Sequence, residues 1–165
     1  MKKSLLILFV LVFGGGVSFA QFSLNKFWNI ELGGSISSVK QLFPNEKWEE
    51  VEAGNDNLYS FLSYLEPSSI KVSFIVTKAD RLRMKSISNG KVDEESAKKL
   101  FEHLKKILLK KFGNKYEEKD TIGKIILVWQ IDKDGKISLS NNGDKTLMFF
   151  FESVGIPFNG GQNGK

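Results

Sequence analysis

The stretch Asp132-Lys133-Asp134-Gly135-Lys136-Ile137-Ser138 has the look of a calcium loop. Such a loop needs oxygen ligands at its first, third and fifth positions, glycine at the sixth and a bidentate glutamate at the twelfth. With Gly135 sixth, the first position is Gln130 and the twelfth is Asn141. Neither supplies a carboxylate, so the stretch is expected to be a hairpin turn. His103 is the only histidine, and the chain has no cysteine. A zinc site needs several such ligands, so His103 reads as a half-exposed helix residue. Glu49, Glu50 and Glu52, and Glu117, Glu118 and Asp120, form two carboxylate clusters. They read as solvated strand ends, since a glycosidase pair is defined by separation across a bond and not by sequence proximity. No Gly-x-Ser-x-Gly elbow and no phosphate-binding glycine loop occurs in the folded part. The expectation is a protein without enzymatic activity, metal or cofactor.

The formal charge is +5, carried almost wholly by lysine, with arginine only at 81 and 83. Nucleic-acid sites favour the arginine fork, so nucleic-acid binding is not expected. Lys98, Lys99, Lys105, Lys106, Lys110 and Lys111 flank the apolar stripe of one helix, a pattern compatible with an anionic membrane surface. The favoured reading is a core-packed helix with a wet lysine face.

The start of the chain reads as a delivery segment. Lys2 and Lys3 precede the apolar run Leu5 to Phe13, then Gly14, Gly15 and Gly16, then Ser18-Phe19-Ala20. This is the layout of a bacterial secretory signal peptide over 1–20, cleaved after Ala20. Its apolar core is too short to span a bilayer, which takes roughly 20 residues. Cleavage removes Lys2 and Lys3 and lowers the charge from +5 to +3. The expected product is exported, periplasmic or extracellular, with one domain over 22–157 and a disordered tail over 158–165. Without disulfides, that domain depends on apolar burial.

The elements follow from periodicity and punctuation. Ser35 as N-cap, Ile36, Val39, Leu42 and Phe43 at helical spacing, and Pro44 as stop predict a helix over 35–43. Extended runs follow over 47–52, 58–65, 71–77 and 81–88, the clearest placing Val72, Phe74 and Val76 on one face. Asp93 caps a long helix over 94–112, with Leu100, Phe101, Leu104 and Leu108 in its stripe and Gly113 as its end. Strands over 124–131, 136–140 and 145–153 complete an antiparallel meander, the last apolar on both faces and so central. Its turns are Asp132–Gly135 and Asn141–Asp144. The fold class is α+β: two helices packed on antiparallel sheet, in the order helix, strands, helix, strands. The halves suggest a duplicated unit in pattern, with no residue-level repeat evident.

The segment Trp28-Asn29-Ile30-Glu31-Leu32-Gly33-Gly34-Ser35-Ile36-Ser37-Ser38-Val39-Lys40 resembles the opening of small exported bacterial proteins, in which a strand leads into a Gly-Ser start and a short helix. With the long helix ending at Lys111-Phe112-Gly113 before a second meander, the layout is distantly similar to the BamE-like and β-lactamase-inhibitor-protein folds. The lipid-bearing cysteine of BamE is absent. The resemblance implies an α+β envelope protein and carries no catalytic residue.

The functional expectation is a non-catalytic binding or accessory protein of the cell envelope. Its partner would be another envelope protein or a small envelope ligand, with Trp28, Trp48 and Tyr64 as candidate contacts. One alternative is a membrane-surface or lipid-binding protein using helix 94–112. A second is a hydrolase with an unrecognised site.

Overall fold

The computed structural model describes residues 21–89, 93–121, 124–131, 135–143 and 145–152. The expected signal peptide over 1–20, the expected tail over 158–165 and the expected turn residues Gly90, Asp132, Lys133, Asp134 and Asp144 therefore lie outside the described residues.

The structure is α+β, with one eight-stranded antiparallel sheet and helices on one of its faces. The elements run α1 (Leu24–Trp28), α2 (Ile36–Leu42), β1 (Glu49–Ala53), β2 (Asp56–Leu65), β3 (Ser68–Thr77), β4 (Leu82–Asn89), α3 (Glu94–Phe112), β5 (Glu117–Thr121), β6 (Lys124–Gln130), β7 (Gly135–Asn142) and β8 (Lys145–Glu152). The expectation of two helices is corrected to three, in the order helix, helix, strands, helix, strands. The additional helix ends at Trp28, at the head of the stretch 28–32, where the resemblance implied a strand and none forms. Five residues hold no helix by propensity alone. Ser23 caps its start through the Lys26 N–H, and a distant lysine closes its end, as described below.

Local signals account for the other two helices. Ser35 Oγ accepts from the Ser38 N–H at 3.3 Å. Asp80 Oδ1, in the β3–β4 turn, accepts from the Ile36 N–H at 3.0 Å. Asp93 caps α3 with 2.9 and 2.8 Å bonds from the N–H and hydroxyl of Ser96. Gly113, at φ 77, ends it; that left-handed conformation suits glycine.

The strand order is β1-β2-β3-β4-β8-β7-β6-β5. Each half is a four-strand meander, and the last strands of the two halves pair at the centre, Ser86 opposite Phe149. β8 is central, as its two-sided apolarity predicts. β5, Glu117–Thr121, is an additional edge strand where only a carboxylate cluster was legible. Both edge strands are acidic, β1 through Glu49, Glu50 and Glu52, and β5 through Glu117 and Glu118. Charge on an edge discourages pairing with another chain.

Registering the halves against each other reveals the residue-level repeat that the bare sequence conceals. Glu49 faces Ser60 and Ser60 faces Ser73; Glu117 faces Val128 and Val128 faces Ser138. Lys47-Trp48-Glu49-Glu50 thus corresponds to Lys115-Tyr116-Glu117-Glu118, and Lys71-Val72-Ser73-Phe74 to Lys136-Ile137-Ser138-Leu139. The offset between equivalents falls from 68 residues at Glu49 and Glu117 to 65 at Ser73 and Ser138 and to 63 at Ser86 and Phe149. Unequal strand lengths shift the offset, so no fixed period appears in the chain. Packing repeats too. Trp48 lies edge-on to Phe61 at 4.7 Å, and Tyr116 lies tilted on Trp129 at 4.9 Å.

The core lies between the helices and one sheet face. Val72, Phe74, Ile87, Leu127, Ile137 and Met148 point into it from the strands, and Leu100, Leu104 and Leu108 meet them from α3. Each such side chain stabilises the fold by roughly 1.5–3 kcal/mol relative to exposure. Phe22, Phe27 and Phe43 fill the space over β2 and β3, where Phe27 is 6.2 Å from Phe74.

Candidate functional site

Alternation along the strands sends every second residue to the face away from the helices. On β2 and β3 these residues include Leu58, Ser60, Leu62, Ser73 and Ile75, with Leu58 opposite Ile75 and Leu62 opposite Lys71. On β6 and β7 they include Ile126, Val128, Ser138 and Ser140. None of the three helices lies on this face. α1 meets the opposite face through Phe27 against Phe74, and the C-cap of α2 does so through Phe43 against Phe61. α3 does so through the Thr146 hydroxyl, which donates to the Ala97 carbonyl at 2.6 Å.

The open face has a floor of small hydroxyls and a margin of apolar and basic groups. Ser60, Ser73 and Ser86 stand side by side across β2, β3 and β4. Ser60 and Ser138 are 2% and 5% exposed although no described helix covers them; short side chains sit below the level of their larger neighbours. Leu62 and Val51 are each 56% exposed on the same face. Three ion pairs border it: Lys71 with Glu49 at 3.6 Å, Arg83 with Asp56 at 3.3 Å and Lys119 with Glu117 at 3.4 Å.

The three aromatic residues expected as contacts are not brought together. Trp28 ends α1 on the helix side, 4.9 Å from Phe150 and 6.0 Å from Phe112. Trp48 is also on that side, its Nε1 donating to the Phe43 carbonyl at 3.3 Å. Tyr64 alone stands on the open face, opposite Ser69 and half-buried. Their types gave no sign of this separation; the parity of β2 about Phe61 carries it. His103 is a half-buried residue of α3. Gln130 and Lys136 pair across β6 and β7, so the calcium-like stretch enters β7 at its Gly135-Lys136-Ile137-Ser138 part. Among the described residues no group of three metal-ligating side chains occurs.

The most displaced titratable group is internal. Lys85 lies on β4 and is 3% exposed. Its Nζ donates to the carbonyls of Phe27, Trp28 and Ile30 at 2.8, 3.2 and 2.7 Å. The Phe27 and Phe150 rings lie 5.1 and 4.8 Å from it. Burial, with a smaller contribution from the Lys111 ammonium, pushes it down to about 8. All three of its hydrogens are engaged and it is sealed from solvent, so the geometry makes it a helix cap and not a nucleophile. At the rim of the same side, the Tyr59 hydroxyl donates to Glu50 Oε1 at 2.7 Å. That bond, with burial, holds the phenol above its ordinary range.

α3 buries Ala97, Leu100, Phe101, Leu104 and Leu108 against the sheet. Its apolar stripe is thereby used within the fold, leaving a lysine-rich outer side. No helix among the described residues is long and apolar enough to cross a membrane. Comparison of the chain with protein-family models, curated protein sequences and solved structures finds no match.

Proposed function

We propose that this chain is an exported, non-catalytic binding or accessory protein of the bacterial envelope, and that the helix-free face of its sheet is the surface that binds. The observation that carries this reading is the one-sidedness of the fold. A sheet ordinarily buries an apolar face against a second layer. Here all three helices are on one face, while Leu62, Val51 and Ile75 remain on the other with no described element over them. Exposed apolar groups among polar ones on a rigid scaffold suit recognition of a partner. The edges suit this less, since their carboxylates oppose strand addition. Surface binding through α3 is the weaker alternative, because its apolar residues are already consumed by the core.

The reading is tested with a photo-crosslinking amino acid placed at Leu62 on the open face or at Lys106 on the exposed side of α3, in the producing cell. One defined crosslinked species from position 62 and none from 106 is expected. Crosslinks from 106 alone, or to lipid only, would overturn the assignment of the face.

A further inference from the structure

The two halves of the chain differ at one pair of equivalent lysines. Lys71 and Lys136 occupy the same place in their repeats, each preceding the inward residue of its strand, Val72 or Ile137. Lys71 is neutralised by Glu49 at 3.6 Å. The equivalent carboxylate, Glu117, instead meets Lys119 at 3.4 Å. Position 119 corresponds to Val51 in the first half, which has no charge to offer. Lys136 is therefore left without an ion pair among the described residues. Beside it the surface sinks into a cavity of about 310 Å³ lined by Lys115, Tyr116, Glu117, Val128, Gln130 and Lys136.

We propose that this cavity binds a carboxylate attached to a small apolar body. Lys115 and Lys136 supply two ammonium groups, and Glu117 subtracts one charge. The lining is thus net positive by one, which matches a monoanion better than a phosphate dianion facing Glu117. Val128 and the methylene stems of Lys115 and Lys136 give the body an apolar wall, while the Tyr116 ring itself is turned to the helix side against Trp129 at 4.9 Å. The volume lies at the low end of the roughly 300–1,000 Å³ typical of ligand cavities, which limits the body to about one ring. The first half lacks the device, because its own ion pair occupies the corresponding place. This inference deepens the binding reading by giving the open face one anchoring chemistry. It can fail alone, because the crosslinking test at Leu62 probes the other half of the sheet.

The probe is phenylacetate, titrated into the ¹⁵N-labelled protein and followed by amide chemical shifts. Saturable shifts centred on Tyr116, Val128 and Gln130 are expected, with the neutral phenylacetamide about fivefold weaker, the size of one exposed charge pair. Lys136→Gln should weaken phenylacetate by a similar factor, and Lys136→Arg should retain it. Lys71→Gln, at the equivalent position, should leave it unchanged. Thermal melts of each variant report folding separately. A peptide ending in phenylalanine with a free carboxylate separates the sources: tighter binding than phenylacetate indicates a polypeptide terminus, and equal binding a free acid, either sustaining the site. Equal binding of acid and amide, or an equal loss from Lys71→Gln, would overturn it.

Discussion

The Lys85 ammonium lies 2.8 Å from the Phe27 carbonyl, 58 residues earlier in the chain. With the Trp28 and Ile30 carbonyls it turns one buried cation into the end cap of α1. A cation at a helix C-terminus is favourable for the dipole, and the last carbonyls of a helix otherwise lack intrahelical donors. Lys85→Met should remove the lysine donor from the Trp28 and Ile30 carbonyls, while the Phe27 carbonyl keeps the Ile30 N–H at 3.4 Å, and destabilise the protein by about 1–3 kcal/mol at neutral pH, the cost of stranding buried polar groups. Urea melts of the two proteins measure this.

The same residue has a pH signature. Its folded pKa of about 8 lies below the unfolded 10.5, so between these values the unfolded chain holds more protons. Wild-type stability relative to Lys85→Met should therefore rise as pH climbs from about 8 to 10.5 and be level below pH 8. Subtracting the variant removes the titration of the other lysines and tyrosines. A difference that stays flat across the window would show that Lys85 titrates normally.

Leu104 is wholly buried at the centre of the α3 stripe. Leu104→Ala should cost about 2–5 kcal/mol, as buried leucine truncations do. Lys106→Ala, on the exposed side, should change stability by less than about 0.5 kcal/mol. Equal small losses in chemical denaturation would mean that the stripe is not the packing face.

Thr146 joins three elements. Its N–H donates to Asn89 Oδ1 at 2.8 Å, its hydroxyl donates to the Ala97 carbonyl at 2.6 Å, and Asn141 Nδ2 donates to that hydroxyl at 3.1 Å. Thr146→Val keeps the shape and removes the hydroxyl. It should destabilise by about 0.5–1.5 kcal/mol per hydrogen bond through the two bonds it removes, to the Ala97 carbonyl and from Asn141 Nδ2. Hydrogen exchange should report faster opening at the start of α3; an unchanged rate there would argue against the network.

Asp93 is held below its ordinary carboxylate range by its bonds from the N–H and hydroxyl of Ser96. Its contribution is present at neutral pH and is lost as pH falls through its lowered pKa. Asp93→Ala should lower the melting temperature at pH 7 and lose its effect in strong acid, while Asp93→Asn should retain most of the cap. A melting difference between wild type and Asp93→Ala that is the same at pH 7 and in strong acid would exclude the charged cap.

The sequence by itself determined the elements whose causes are local. α3 is legible from Asp93, the Leu100–Leu108 stripe and Gly113, because cap, periodicity and stop lie within one stretch of chain. Most strands were legible for the same reason, since alternation such as Val72, Phe74 and Val76 declares one buried face. Tertiary structure decided what depends on distant partners. α1 has five residues and owes its end to Lys85 on β4. The polar run Glu117–Thr121 becomes a strand because β6 offers it a hydrogen-bonding edge. The partition of Trp28, Trp48 and Tyr64 between faces, and the equivalence of Lys71 with Lys136, depend on register across β4 and β8. Register is set by pairing between segments some sixty residues apart, as at Ser86 and Phe149, and no local pattern encodes a choice made between two surfaces only when they meet.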